Sequence, residues 1–226
     1  MSIKADMKKI LCFGTSVFAE VVYKTIMQDD ADRYEVLGFV IDDEYYSSSS
    51  FCGKTVYRYS ELEKKFNSNY CSILICIGYA NMNGIRKKIF SRLDNDGWCI
   101  ADYINRRAIV RACEWGRGNI VLDGVNIGID AKVGDGNVFY PNSLLAHHSS
   151  IGDFNFFAVS ASVAGYVSAG SFCFFGNNCS TKDHIAIKDG VLVGGGCYLG
   201  NSVYEPYTVW AMPQCKKLTM SSIEVF

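Results

Sequence analysis

The sequence predicts an α/β N-terminal unit followed by a left-handed parallel β-helix, and two observations predict it. From Val121 to Leu199 one position recurs every six residues without interruption, and 12 of its 14 occupants are large and apolar. Ahead of that stretch, apolar strand-like runs alternate with helix-like ones, the pattern of a parallel sheet.

In chain order, Lys8 to Gly14 (KKILCFG) reads as a buried strand running into a glycine turn, and Val17 to Met27 has helical periodicity. Tyr34 to Ile41 (YEVLGFVI) is a second strand, followed by Asp42-Asp43. Residues 47–50 are serines and read as a flexible loop, and Ser60 to Phe66 looks helical. Ser72 to Ile77 (SILICI) is a third strand ending at Gly78, and Gly84 to Leu93 is a basic amphipathic helix. This alternation implies a Rossmann-like sheet, assigned to residues 1–105. Tyr103 to Arg117 connects the two parts, with Trp115-Gly116 near the first coil, and the β-helix is assigned to 106–226.

The six-residue period has a direct physical reading. Each hexapeptide is a short strand plus a turn, and three of them close a triangular coil of about eighteen residues. The recurring residue points inward; only Ala169 and Thr181 depart from the large apolar type. Glycine often follows it, as at Gly128, Gly134, Gly152 and Gly176, and is read as a corner residue whose φ can turn positive. Coils stack by parallel pairing about 4.8 Å apart. A sandwich would need period-two alternation with turns every ~8–12 residues, which in-phase hexads do not supply.

Composition narrows the function classes. The 226 residues carry a net charge of −1, with no basic surplus, so nucleic acid is not an expected partner. No apolar run approaches the ~18 residues of a membrane span, and Met1 to Lys9 leads into no cleavage-like site, so a soluble cytoplasmic protein is expected. The ten cysteines form no CxxC pair and no zinc-type spacing with histidine, which favours free thiols and no metal. Cys179 and Cys197 fall one coil apart in an inward-facing column, where a thiol is buried and inert.

Ligands of open parallel sheets sit at the carboxyl ends of the strands. Three such ends are Gly14–Ser16, Asp42–Asp43 and Gly78–Asn81. Backbone N–H groups there could hold phosphates, and Asp42 or Asp43 could accept hydrogen bonds from a base or ribose. Only one glycine of the GxGxxG pattern is present, at Gly14, so a full dinucleotide fingerprint fails.

The two halves in this order resemble the bacterial nucleotide-sugar acetyltransferases of the left-handed β-helix superfamily, which include the sialic acid O-acetyltransferase-like proteins. The resemblance covers essentially the whole chain. The family's Gly-x-Ser-Gly-His stretch is Gly14-Thr15-Ser16-Val17-Phe18 here, lacking the second glycine and the histidine, while Asp42-Asp43 is kept. Ile77-Gly78 and Arg86-Lys87-Lys88 match a further loop and helix. The Asn-His-Asp…Ile-Gly-Asp motif reads Ala146-His147-His148-Ser149-Ser150-Ile151-Gly152-Asp153. The family's catalytic histidine falls on His147, its acidic neighbour is replaced by His148, and a further family histidine falls on Phe156. The acetyl-CoA-contacting glycines fall on Gly165 and Gly195, and the closing Gly-x-Pro-Ala loop is Met212-Pro213-Gln214.

The resemblance implies acetyl-CoA as co-substrate, a homotrimer with each active site between two β-helices, and a nucleotide-linked sugar bound at Gly14, Ser16, Asp42, Asp43, Gly78 and Asn81. It implies His147 as general base for direct attack on the thioester, with a backbone N–H at or near Gly165 stabilising the oxyanion. Asp153, a backbone carbonyl or a neighbouring subunit stands as the replacement for the missing acid; His148 is a substrate-contact or structural residue before a catalytic one. His184, two coils from His148, is expected to be solvated, and Phe154, Phe156, Phe172 and Phe174 to be exposed on a subunit face. The leading expectation is N-acetylation of an amino-deoxy sugar in surface-glycan synthesis. Sugar O-acetylation, a carbonic-anhydrase-type metalloenzyme and a non-catalytic nucleotide-sugar-binding protein are the alternatives.

Overall fold

A computed structural model describes residues 7–213; Gln214 of the closing loop lies outside them. The N-terminal sheet contains β1 (Lys8–Phe13), β2 (Tyr34–Ile41), β3 (Ser50–Phe51), β4 (Lys54–Arg58) and β5 (Ser72–Ile75), in the order β3-β4-β2-β1-β5. All neighbours are parallel except β3 and β4. Helices α1 (Val17–Asp29), α2 (Leu62–Lys65) and α3 (Gly84–Asn95) accompany it. Hence α1 runs two residues past Met27, and the helical stretch from Ser60 is a 3-10 turn over Tyr59–Glu61 followed by one short helix.

Sequence reading missed β4 and the hairpin before it. Ser50 is not loop but pairs with Thr55, and the turn at Cys52-Gly53 has φ of 49° and 74°. Two consecutive positive φ values suit a tight hairpin, for which glycine is the usual signal. Only Val56 of β4 is fully buried, so no period-two alternation marks the strand.

The β-helix begins at Tyr103–Ile104 and stacks into three parallel sheets of seven, six and five two-residue strands. Every inward position from Val121 to Leu199 is buried, including Ala169 and Thr181. Leu144–Leu145 pairs with Asn126–Ile127 eighteen residues earlier, whereas Ile127 pairs with Val110, seventeen earlier. The shorter first coil, with a step of five residues from Val110 to Trp115, breaks the six-residue phase ahead of the run that starts at Val121.

The corners differ from expectation in a physical detail. Positive φ belongs to residues such as Asp130 (58°), Asn142 (61°) and His148 (58°), not to the glycines after the inward position. Those glycines answer to close approach instead. A Cβ on Gly176 would lie 2.6 Å from the Gly195 nitrogen of the next coil.

The α/β head covers the seven-stranded face. Phe18 of α1 meets Tyr140 and Phe156 at ring separations of 5.8 and 6.5 Å, Tyr79 meets Phe156 and Phe174, and Phe90 meets Phe154. The four phenylalanines therefore pack inside the chain: Phe154 and Phe156 are 5% and 3% exposed, and Phe172 and Phe174 are half-buried against the same clusters. They form no open subunit face, because a second hydrophobic layer from the same chain already covers them.

Polar groups lock this junction. Asp30 is 0% exposed; it accepts from Tyr103 Oη (2.9 Å) and Arg106 Nε (2.9 Å) in the first coil, and from Arg33 (2.8 Å). Burial would raise its carboxyl, but the Arg106, Arg33 and Tyr103 hydrogen bonds together hold it below the usual range. Arg86 lies on the inner side of α3, 1% exposed, and donates to the carbonyls of Ile77 and Asn155, both at 3.2 Å. Burial pulls its guanidinium down to about 9. The basic helix thus turns one of its charges inward to tie head to coil.

Asp30→Ala should destabilise the chain by about 3 kcal/mol at pH 7, since it strands buried partners of a carboxylate. Because the folded carboxyl is depressed, its stabilisation is complete above the unfolded value of about 3.9 and is lost as pH falls through the folded value. Urea melts at pH 7 and pH 3 should therefore show a wild-type to variant gap that narrows in acid.

Candidate active site

His147 and His148 occupy one corner of the coil, between the six-stranded and five-stranded sheets, and both are exposed. The chain leaves the inward Leu145, passes Ala146, and turns with His148 in the left-handed region. The His147 ring lies on Gly165, one coil on. A Cβ at 165 would sit 2.8 Å from its Cε1 and 3.0 Å from its Nε2. A side chain at 165 would have to displace the imidazole above it.

The peptide under that ring is held unusually. The Ser149 hydroxyl donates to the Ala164 carbonyl at 2.8 Å, and the Ala164 N–H donates to the Thr181 hydroxyl at 3.0 Å. One coil earlier, the Ala146 N–H follows the ordinary ladder to the Val163 carbonyl, at 2.9 Å. Ser149 and Thr181 are both buried, so the Ala164 carbonyl faces the interior. In a trans peptide the N–H points opposite to the C=O, which turns the Gly165 N–H away from the interior. Among the described residues this N–H has no backbone partner. Thr181, an exception to the apolar column, thereby has a physical reason, and so does Ser149, which sequence reading passed over.

The two histidines touch one another, Nδ1 to Nδ1 at 3.1 Å. His148 stacks on Tyr166 (4.8 Å), and Tyr166 on His184 (4.5 Å). His184 is exposed but stacked, and hydrogen-bonded to Asp183 at 3.0 Å. Asp153 is no partner for His147. It stands at a different corner, where its Oδ1 accepts the Asp135 N–H at 2.8 Å. Gly195 is also at another corner, exposed, with Asn177 beneath it. Gly165 and Gly195 thus lie on opposite edges of the six-stranded face. Cys179 and Cys197 are buried, and burial pushes the Cys179 thiol up to about 12.

At the head, β2, β1 and β5 are adjacent, so the three strand-end segments share one edge of the sheet. Gly14 has φ of 120°, and a Cβ there would meet the Cys76 carbonyl oxygen at 2.8 Å. Ser16 is the N-cap of α1 and makes no side-chain capping bond. Asp42 pairs with Arg92 at 2.5 Å, and Asp43 accepts from the Ser60 hydroxyl and N–H at 2.6 and 3.1 Å. Those Ser60 bonds hold the Asp43 carboxyl low. Gly78 opens onto free space, and Asn81 has φ of 52° in a left-handed run through Asn83. A cavity of about 110 Å³ at the ends of β1 and β2 is lined by Thr15, Ile41, Tyr45, Ser47, Ser48 and Phe51, among others. Its serine walls come from the 47–50 segment read as loop, and its aromatic walls, Tyr45 and Phe51, flank that segment.

Among the described residues no helix is long and apolar enough to cross a membrane, and no three His, Cys, Asp or Glu side chains gather where they could hold a metal ion.

Residues 9–93 match the PglD N-terminal domain family. No curated protein sequence matches the chain. In three dimensions the chain is similar to the acetyltransferase domain of PglB from Neisseria gonorrhoeae FA1090, with 18% identity and a TM-score of 0.78 over 89% of this chain and 95% of that one. The same domain is known in complex with acetyl coenzyme A. PerB from Caulobacter crescentus, solved with CoA and GDP-perosamine, is 21% identical with a TM-score of 0.76 over 91% and 94% of the two chains. WeeI from Acinetobacter baumannii AYE is 22% identical with a TM-score of 0.76 over 88% and 94%. The activities stated for these relatives are acetyltransferase for PglB and GDP-perosamine N-acetyl transferase for the Caulobacter protein, so the sialic acid O-acetyltransferase likeness is not the one these structures carry. The chain is a PglD-like N-terminal domain followed by a left-handed parallel β-helix.

Proposed function

We propose that this chain transfers an acetyl group from acetyl-CoA to the amine of a nucleotide-linked amino-deoxy sugar, in the cytoplasm, as a step of surface-glycan synthesis. The observation that carries the reading is the His147 imidazole seated on Gly165, beside an outward N–H. Acyl transfer to an amine needs a proton acceptor and a donor for the oxyanion within reach of one carbon, and these two groups meet that need. The His147 nitrogen removes the proton as the amine attacks the thioester carbonyl. The C–N bond forms, the Gly165 N–H takes the oxyanion, and collapse expels the CoA sulfur with its electron pair. No acyl-enzyme is needed, and Cys179 and Cys197 are shut inside the coil.

The relatives support the choice of substrates: one is known with acetyl coenzyme A, another with CoA and GDP-perosamine. An extended CoA crossing the six-stranded face would pass both Gly165 and Gly195. The sugar nucleotide belongs at the carboxyl edge of the head sheet, near Gly14, Ser16, Asp42, Asp43, Gly78 and Asn81, with the Thr15–Tyr45 cavity beside it. Asp42 would have to exchange Arg92, and Asp43 would have to exchange Ser60, for a ligand.

The homotrimer implied by the family resemblance is part of the proposal. The head covers the seven-stranded face, while His147 stands at the corner opposite that face. A sugar nucleotide on a chain's own head therefore faces away from its own His147. We assign the head and histidine of one site to different copies, in a homotrimer.

The direct test is thiol release from acetyl-CoA against UDP-, dTDP- and GDP-linked amino sugars and sialic acid. Release with an amino sugar alone is expected; release only with an unaminated sugar would replace N- by O-acetylation, and none at all would leave a binding protein. His147→Ala should lower kcat at least about a hundredfold with the fold intact by circular dichroism. Gly165→Ala should cost about a hundredfold in kcat/KM by pushing the ring off its seat.

A further inference from the structure

The geometry points to a carboxylate–imidazole–imidazole relay, Asp130–His148–His147, in which Asp130 sets the tautomer of His147 through His148. Its kinetic consequence rests on the acetyl-transfer reading; its tautomer consequence does not.

The relay replaces the missing acid from one coil below. Asp130 and His148 are eighteen residues apart at the same corner, both left-handed, with φ of 58° each. That puts the Asp130 Oδ2 3.5 Å from His148 Nε2. On its other side His148 presents Nδ1 to His147 Nδ1 at 3.1 Å. Tyr166 stacks on the His148 ring at 4.8 Å and meets the His147 ring edge-on at 5.4 Å, which fixes both planes.

Proton placement then follows. A carboxylate can only accept, so Asp130, a charge neighbour at 3.5 Å, favours the His148 tautomer with its proton on Nε2. Its Nδ1 is left as an acceptor. Two facing ring nitrogens form a hydrogen bond only if one holds a proton, so His147 carries its proton on Nδ1. The His147 Nε2, the atom 3.0 Å from the Cβ position of Gly165, is left with a free lone pair on the outward side. When it takes the substrate proton, the imidazolium charge is shared along the line toward Asp130. His148 is thus a positioning residue and Asp130 a second one behind it. The other ionisable groups on this corner are Arg111, Cys113, Tyr166, Lys182, Asp183 and His184, and Asp183 is occupied with His184.

The test uses the full chain labelled with ¹⁵N-histidine. Only three histidines are present, so two-bond ¹H–¹⁵N spectra are assigned with His147→Ala and His184→Asn. At pH 8, His147 is expected as the Nδ1–H tautomer in the wild type and as a mixture in Asp130→Ala. In kinetics Asp130→Ala should lower kcat about tenfold or more with KM little changed. In a His148→Asp background, where a carboxylate reaches His147 directly, Asp130→Ala should cost less than twofold. An Nε2–H tautomer of His147 in the wild type, or identical spectra and an unchanged kcat in Asp130→Ala, overturns the relay. Expected spectra in a chain that transfers no acetyl group uphold the relay and sink the function instead.

Discussion

Every functional feature of this protein depends on the parallel hydrogen-bond ladder between coils. Once Leu144–Leu145 pairs with Asn126–Ile127 at a shift of eighteen, a residue of the central coils is stacked on the one eighteen positions away, about 4.8 Å off. The Phe139, Phe157 and Phe175 rings stack at 4.6 Å in the interior. Asn119, Asn137 and Asn155 form a buried ladder, each side-chain oxygen accepting the N–H eighteen residues on, at 2.7–2.8 Å. On the outside the same register lays His147 on Gly165 and lines up Asp130, His148, Tyr166 and His184. Chemistry on such a scaffold is written in columns.

The ladder also explains the tolerance of left-handed corners. Histidine and tyrosine at φ near 57° pay a steric cost that asparagine or glycine largely avoids. That cost is carried by stacking and by the corner hydrogen bonds, such as His148 N–H to the Ile129 carbonyl at 2.9 Å. Strained side chains at one corner, in contact with each other, are the kind of place where function and stability compete.

The head is joined to the coil by a layer of aromatic rings with few but buried polar ties. Asp30 gathers two arginines and a tyrosine, and Arg86 uses carbonyls in place of an acid. Without a carboxylate partner a buried guanidinium is costly unless its hydrogen bonds are made, so Arg86 ties the junction to one geometry. This junction sets which face of the coil is closed, and hence which corner stays open.

By itself, the sequence determined the β-helix, because inward side chains must recur with the period of the coil, and it determined β1, β2, β5 and the two long helices, because burial imposes its periodicity on them. It also singled out His147 and Gly165, through a motif. It was silent on β4, whose edge position demands no alternation, and on the first coil, whose missing residue breaks the phase. Only the tertiary structure showed that Phe154 and Phe156 are covered by the head and that Gly195 lies across a face from Gly165. Only it showed that Ser149 and Thr181 aim a peptide and that Asp130 reaches His148. Those facts join residues fifteen or more apart, and a chain's own pattern records which side a residue faces, not what it meets there.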